Sequence, residues 1–394
     1  MRKRHIKFVS IVMVVFLANM NMVFASPKEI DKYSKTSILI DQETSRVLYE
    51  KNPDQKVALA SLSKMMTFLL AIEAIENKEI SGEDIVEIDQ ESAKVRGSSY
   101  KLKEGEKVEV KHLMRGLMIV SGNDAAVALS KHICGTQEKF VRRMNKKAAE
   151  IGMINTSFVN PHGLPIYSLE NPQSPPKENL STARDISILG KYLFDNYEKQ
   201  TVEITNMQRY SYPERGFDKG NTNPLLSMIE NVDGIKTGYT GNAGYCLAFS
   251  MMIPQDNNNI KAHRVIGVVL GANHKQKRLQ SAMSLLRFAE NEFGLIKVMN
   301  KDTAMGKKYI QGVKELEVEL EVLDEQYVVL GINEILHSQT TIKELTYPIE
   351  KGDIIGEIKY FTEDGDILGQ VNIVANNKIG NPSLITKIKI LLKD

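Results

Sequence analysis

Ser61-Leu62-Ser63-Lys64-Met65-Met66-Thr67-Phe68-Leu69-Leu70-Ala71-Ile72-Glu73-Ala74-Ile75-Glu76-Asn77 is the stretch on which the reading of this chain turns. Leu62, Met65, Met66, Leu69, Ile72 and Ile75 recur at steps of three and four, which predicts a helix with one side against an apolar core. Upstream, Ser37–Asp41 and Arg46–Glu50 are β-prone runs joined by Gln42-Glu43-Thr44-Ser45, a hairpin by length and turn chemistry. Downstream, His112–Ile133 reads as helix broken at Ser121-Gly122-Asn123, and Thr136–Ile151 as a third helix capped by Thr136 and stopped at Gly152. Pro165–Leu180 is a polar, proline-bearing loop, and Thr182 with Asp185 three residues on opens another helix. Gly244–Ile253 and Arg264–Gly271 are long strands, and Gln276–Phe293 is a helix ending at Gly294. Beyond it the period changes. Leu316–Val322 alternates strictly, and Tyr327–Leu330, Ile354–Tyr360 and Ile367–Val374 are further short strands. Mixed helix and strand followed by strand alone predicts an α+β domain followed by a small all-β domain.

The composition agrees with two globular domains. The 394 residues are 42% hydrophobic and 25% charged, which excludes disordered and collagen-like chains. Lysine and arginine number 51 against 49 acids, without the basic excess that nucleic acid selects. Cys134 and Cys246 are too few for a disulfide framework and leave either one bridge or two free thiols. No metal, nucleotide or dinucleotide motif is present, so any chemistry falls to ordinary side chains. Arg2, Lys3, Arg4 and Lys7 precede the apolar run Phe8–Ala18, and Val23-Phe24-Ala25 supplies small residues before Ser26, as a secretory signal requires. The alternative is an uncleaved anchor. Cleavage after Ala25 removes those four cations and no acid, turning a formal +2 into −2. The expected organisation is a signal peptide at 1–25, the α+β domain at 26–294, the β domain at 295–380 and a tail at 381–394.

Three places could carry chemistry. Ser61 and Lys64 stand one helical turn apart, which pairs a hydroxyl with an amine able to deprotonate it once desolvation lowers the amine's pKa. Ser61 could equally be an N-cap. Ser121-Gly122-Asn123 offers a hydroxyl and an amide at a helix break, where the plain alternative is a turn. Lys236-Thr237-Gly238 puts a cation, a hydroxyl and a residue without a side chain on a strand, where the plain alternative is an exposed sheet edge.

Taken in order, the three resemble the Ser-x-x-Lys, Ser-Asp-Asn and Lys-Thr-Gly set of penicillin-binding proteins and class A β-lactamases. Ser-Gly-Asn as the second element, with Gly116-Leu117-Met118-Ile119-Val120 before it and Asp124-Ala125-Ala126 after, resembles the serine D-alanyl-D-alanine carboxypeptidases, the low-molecular-mass penicillin-binding proteins. Asn160-Pro161-His162-Gly163-Leu164, Ser181-Thr182-Ala183-Arg184-Asp185 and Asp233–Thr240 are similar to that family too. The resemblance spans about Ser34–Gly294 and continues into the β domain.

The resemblance implies a β-lactamase/transpeptidase-like domain, an antiparallel sheet flanked by helices. It implies that Ser61 attacks the penultimate D-alanine carbonyl of a peptidoglycan stem peptide ending in D-Ala-D-Ala and forms an acyl-enzyme that penicillins and other β-lactam antibiotics mimic. Lys64 would be the base, Ser121 and Lys236 the proton relay to the leaving amine, and Asn123 a partner of Lys64 and of the substrate backbone. The amides of Ser61 and Tyr239 would form the oxyanion hole, with Gly238 allowing close approach. Thr237 and Arg264 are the expected holders of the terminal carboxylate. No cofactor or metal is implied, and His162 is expected to be structural.

In the tail, Asn381 as cap and Pro382 as first residue open a helix whose Leu384, Ile385, Ile388, Leu391 and Leu392 share a face, with Lys387, Lys389 and Lys393 off it. Such a basic amphipathic segment fits a membrane surface, or else packs on the β domain. The expected location is the extracytoplasmic face of a bacterial cell membrane or the cell wall. The rivals are a β-lactamase, for which Glu170 and Glu178 lack the Glu-x-x-Leu-Asn setting, and an idle cell-wall binding protein.

Overall fold

The structure is a computed structural model describing residues 30–255, 260–310 and 313–391; the expected signal peptide lies outside them. Its main sheet has five antiparallel strands in the order Val47–Lys51, Thr36–Asp41, His263–Ala272, Gly244–Ile253, Val232–Thr240. The predicted first hairpin thus forms one edge, and the strand bearing Lys236-Thr237-Gly238 forms the other. Strand alternation divides the apolar residues between the two faces. Ile38, Ile235, Ala248, Ile266 and Val268 face the helices Lys64–Glu76 and Ala183–Thr205. Leu39, Leu247, Phe249, Val265 and Val269 meet Ala282, Leu285 and Ala289 of the helix Lys275–Glu292 on the other side.

The helix at Lys64–Glu76 is more deeply placed than its stripe of apolar residues suggests. Eleven of its 13 residues are buried, including Lys64, Thr67 and Glu73. It is central, with polar groups held inside, and a one-sided reading underestimates it. Helices Val110–Ile119, Asn123–Cys134 and Gln137–Glu150 complete this lobe. Thr136 Oγ1 accepts from Lys139 N at 3.2 Å and Thr182 Oγ1 from Asp185 N at 3.1 Å, as N-caps should. Both cysteines are free.

Gly294 is no helix stop. The helix Lys275–Glu292 stops two residues before it, and Phe293–Met299 is a strand pairing with Gln326–Gly331. Beyond it lies a second five-stranded sheet in the order Ala304–Tyr309, Glu317–Val322, Ile367–Ala375, Ile354–Phe361, His337–Ile342. The alternation of Glu317–Val322 is realised, with Val318, Leu320 and Val322 inward and the three glutamates half-exposed. The tail helix spans Leu384–Leu391, two residues later than expected, because Ser383 Oγ and not Asn381 accepts from the Thr386 amide. Ile390 and Thr386 are buried while Leu384, Ile385 and Ile388 are exposed. Leu392 and Lys393 lie outside the described residues. No helix among the described residues is long and apolar enough to cross a membrane.

Candidate active site

Ser61 sits in a 3-10 turn, Ala60–Ser63, that runs straight into the central helix. The helix takes Ser63 as its N-cap residue, so Ser61 is not a cap. Ala60 holds φ at 47°, a left-handed value uncommon for a residue with a side chain. The Ser61 hydroxyl is half-buried, and Lys64 below it is fully buried.

Lys64 Nζ has three acceptors: Ser61 Oγ at 2.9 Å, Asn123 Oδ1 at 2.7 Å and the His162 carbonyl at 2.8 Å. Burial, then the charge of Lys236, drive its pKa well below the usual lysine range, against a smaller opposing pull from Asp124.

Each partner is held from behind. The His162 carbonyl belongs to a turn that Asn160 organises, its Oδ1 accepting from the Gly163 amide at 2.6 Å and its Nδ2 donating to the Leu164 carbonyl at 2.7 Å. Gly163 has φ +93°, and a Cβ there would lie 1.9 Å from the Ala60 carbonyl oxygen. The His162 ring is half-buried, its pKa pushed down to about 3 by desolvation and by Lys64, and its Nδ1 accepts from the Leu164 amide at 3.1 Å. It is a neutral ring tied to its own turn.

Asn123 opens its helix after the break. Ser121, also buried, occupies the left-handed region at φ 63°. Asn123 Nδ2 donates to the Arg96 carbonyl at 2.7 Å and its amide to the Ser98 carbonyl at 2.8 Å. Asp124, quoted above only as part of a flanking stretch, pins the same loop, accepting from Ser99 Oγ at 2.7 Å, the Tyr100 amide at 2.8 Å and the Leu102 amide at 3.2 Å. A buried aspartate directly after the helix break was the available signal for that role.

Lys236-Thr237-Gly238 lies on the free edge strand. A Cβ on Gly238 would come within 3.1 Å of the Ser61 amide nitrogen and of the Leu59 carbonyl oxygen. Its glycine therefore brings the strand against the serine turn, beyond leaving room for a ligand. Lys236 Nζ donates to the Thr237 carbonyl at 3.0 Å, and among the described residues no hydrogen bond joins it to Ser121. Thr237 Oγ1 donates to Thr222 Oγ1 at 2.8 Å. The Tyr239 ring is exposed and lies 4.3 Å, centroid to centroid, from Tyr245.

Burial, then the Arg278 guanidinium, push the Lys236 ammonium down to about 7. Between about pH 7 and the ordinary lysine pKa near 10.4, the unfolded chain binds more protons here than the folded one, so stability rises with pH across that window. Below it the buried charge is a standing cost. Lys236→Met is expected to raise the melting temperature by about 5 °C at pH 6, the gain shrinking towards pH 10. A melting temperature that falls at pH 6 would contradict this.

Arg264 is not where the sequence reading put it. Thr237 pairs with Leu247 and Leu247 with Val269, so Arg264 lies five residues, about 17 Å, along the sheet from the Thr237 row. Its guanidinium is buried, ion-paired with Asp233 and with Glu198 at 2.8 Å, and sits 4.1 Å over the Phe194 ring. The strand lies in the same sheet as Lys236-Thr237-Gly238, but its direction carries Arg264 to the far end. Arg264→Ala is expected to cost about 3 kcal/mol of stability by leaving Asp233 unpaired and to leave the KM of the folded protein near wild type. A raised KM at unchanged stability would return Arg264 to the site. The guanidinium that Lys236 does feel is Arg278, buried on the helix Lys275–Glu292, with Nη1 3.4 Å from the Cys246 carbonyl oxygen and Nε unpartnered among the described residues.

With this geometry in hand, the comparisons are specific. Residues 22–274 match the family described as D-alanyl-D-alanine carboxypeptidase, peptidase S11, and residues 293–381 match the C-terminal domain of penicillin-binding protein 5. The chain is 33% identical over 330 residues to the D-alanyl-D-alanine carboxypeptidase DacF of Bacillus subtilis, covering 82% of this chain and 80% of that protein. It is 31% identical over 352 residues to DacD of Escherichia coli, covering 85% and 86%. Among solved structures, penicillin-binding protein 5 of Haemophilus influenzae superposes with a TM-score of 0.74 at 28% identity, over 89% of this chain and 98% of that one. The chain belongs to the S11 family of D-alanyl-D-alanine carboxypeptidases.

Proposed function

We propose that this protein is a serine D-alanyl-D-alanine carboxypeptidase that removes the terminal D-alanine from peptidoglycan stem peptides through an acyl-enzyme on Ser61, and that penicillins trap the same serine. The observation that carries this is the set of acceptors around Lys64. A neutral amine has two protons and one lone pair. The Asn123 and His162 carbonyl oxygens accept only, so they take the two protons and turn the lone pair to the third neighbour, Ser61 Oγ. Lys64 then removes the Ser61 proton as the Oγ–carbon bond forms.

The negative charge that develops on the carbonyl oxygen meets the amides of Ser61 and Tyr239, whose closeness rests on Gly238. The C–N bond breaks as its nitrogen takes a proton passed from Lys64 through Ser121 and Lys236. Water, deprotonated by the same machinery, hydrolyses the ester. Thr237, with the positive field of Lys236 and Arg278, receives the terminal carboxylate in place of Arg264. Of the two glutamates weighed for a β-lactamase, Glu170 is exposed and Glu178 accepts from Asn242 at 2.9 Å. Neither stands in the Glu-x-x-Leu-Asn setting that holds a β-lactamase glutamate, which favours a carboxypeptidase.

The test is direct. The mature protein should release D-alanine from diacetyl-Lys-D-Ala-D-Ala, and benzylpenicillin should leave an adduct that peptide mapping places on Ser61. No release and no adduct would refute the enzyme and leave the idle binding protein.

Export by residues 1–25 and tethering by the tail belong to the same reading. Exposed Leu384, Ile385 and Ile388 beside Lys387 support insertion of one helix face into an anionic interface. Deleting Pro382–Asp394 is expected to move the protein from the membrane fraction to the soluble one; unchanged association would rule out the tether.

A further inference from the structure

The loop 94–101 forms one wall beside the catalytic lysine, and its side chains have no place in the mechanism above. Lys94, Arg96 and Lys101 are exposed, and none has a side-chain ion pair among the described residues. Of the acids nearest them along the chain two are taken elsewhere, and the third, Glu104, accepts from Gln90 at 3.4 Å. Glu91 pairs with Lys131 at 2.7 Å and accepts from Gln137 at 2.7 Å, and Glu106 is bound by Arg215. Against Glu104 and the buried Asp124, the three cations leave an excess of positive charge on this wall.

Exposed charges are most often a solvated face, but this loop is built against the catalytic groups. Arg96 gives its carbonyl to the same Asn123 side chain whose other end holds Lys64. Gly97, at φ +85°, lies so close that a Cβ would meet Asn123 Nδ2 at 2.8 Å. Asp124 ties down Ser99, Tyr100 and Leu102 just beyond. The Arg96 backbone is therefore fixed within a few contacts of Ser61, and only its side chain is free to reach out.

With the terminal carboxylate at Thr237 and the scissile carbonyl at Ser61, the substrate backbone runs on past Asn123. Two to three residues upstream of that carbonyl is roughly 7–11 Å for an extended chain, a span that an exposed side chain rooted beside Asn123, as Arg96 is, can reach. We propose that Arg96, supported by Lys94 and Lys101, reads a carboxylate that the stem carries upstream of D-Ala-D-Ala, favouring stems in which it is free over stems in which it is amidated. The group in question is the α-carboxylate of the γ-linked glutamyl residue before the diamino acid, a chemical choice between an anion and a neutral amide. Guanidinium is suited to it by its planar, paired donors. The inference rests on the carboxypeptidase reading.

The experiment compares two synthetic peptides, γ-D-Glu-Lys-D-Ala-D-Ala and its α-carboxamide counterpart, by D-alanine release. The wild type is expected to favour the carboxylate by about three- to fivefold in kcat/KM, the range of an exposed charge pair, with the preference lost in 0.5 M salt. Arg96→Gln should bring the ratio close to one, and Arg96→Lys should retain part of it. The readout is a ratio, so a variant that folds poorly lowers both rates alike. Equal rates for the two peptides in the wild type, or a preference that survives Arg96→Gln, overturns the proposal while carboxypeptidase activity stands. No release from either peptide overturns the underlying reading itself.

Discussion

Replacing Lys64 by alanine is expected to slow acylation by benzylpenicillin by about a thousandfold, within the 10²–10⁴ that a positioned general base contributes. Lys64 is the only described cation within hydrogen-bond distance of Ser61 Oγ, and the Lys236 amine donates to the Thr237 carbonyl instead. His162, neutral and turned to the Leu164 amide, is not positioned to substitute. The substitution also strands the Asn123 and His162 acceptors, a cost of about 1–3 kcal/mol. Part of it is offset because the ammonium no longer has to be buried. Lys64→Met, which fills the space without a nitrogen, should be as slow as Lys64→Ala while at least as stable. Adduct formation followed by intact mass against time checks both, and a rate within tenfold of wild type would remove Lys64 from the role of base.

Gly163→Ala is expected to damage stability and acylation together although residue 163 touches no substrate atom in the mechanism. The new Cβ would overlap the Ala60 carbonyl, and that carbonyl belongs to the residue just before the nucleophile, already at a left-handed φ. Relief by moving the 160–164 turn outward carries the His162 carbonyl away from Lys64. Relief by moving Ala60 displaces Ser61. Overpacking of about 1–3 kcal/mol and a left-handed backbone penalty of about 1–2 kcal/mol add to about 2–5 kcal/mol. In a domain of this size that is a fall of about 6–15 °C in melting temperature, with acylation slowed at least tenfold. Gly152→Ala is the control. Its φ is +87° but nothing lies within 4 Å of its Cβ, so only the backbone penalty should appear, with acylation at the wild-type rate. If the two variants behaved alike, the contact between the turn and Ala60 would have no part in the site.

Much of the molecule was legible in the sequence. Helices with a cap and a stripe, such as Gln137–Glu150 and the start of Ala183–Thr205, were visible because local chemistry and burial point the same way. So was Glu317–Val322. The strands Ala304–Tyr309 and His337–Ile342 were not, since both are sheet edges with exposed or half-exposed residues and no alternation to read. Phe293–Met299 was hidden behind a glycine that signals a helix end equally well.

The same division runs through the site. The residues proposed for the chemistry, Ser61, Lys64, Ser121, Asn123, Lys236 and Thr237, came from the family resemblance that the three motifs in order carry; local geometry by itself juxtaposes Ser61 and Lys64, one helical turn apart. Groups brought together from distant parts of the chain depend on register and strand direction, which a linear pattern does not carry. Asn123 as a partner of Lys64 followed from the resemblance, but tertiary structure alone added the His162 carbonyl beside it. It set Gly238 against the Ser61 amide, sent Arg264 to the far end of the sheet into an ion pair with Asp233, and left Arg278 as the guanidinium beside Lys236. Composition and motif determined what this chain can do; packing of the edge strand, the 160–164 turn and the 94–101 loop around one buried amine decided how.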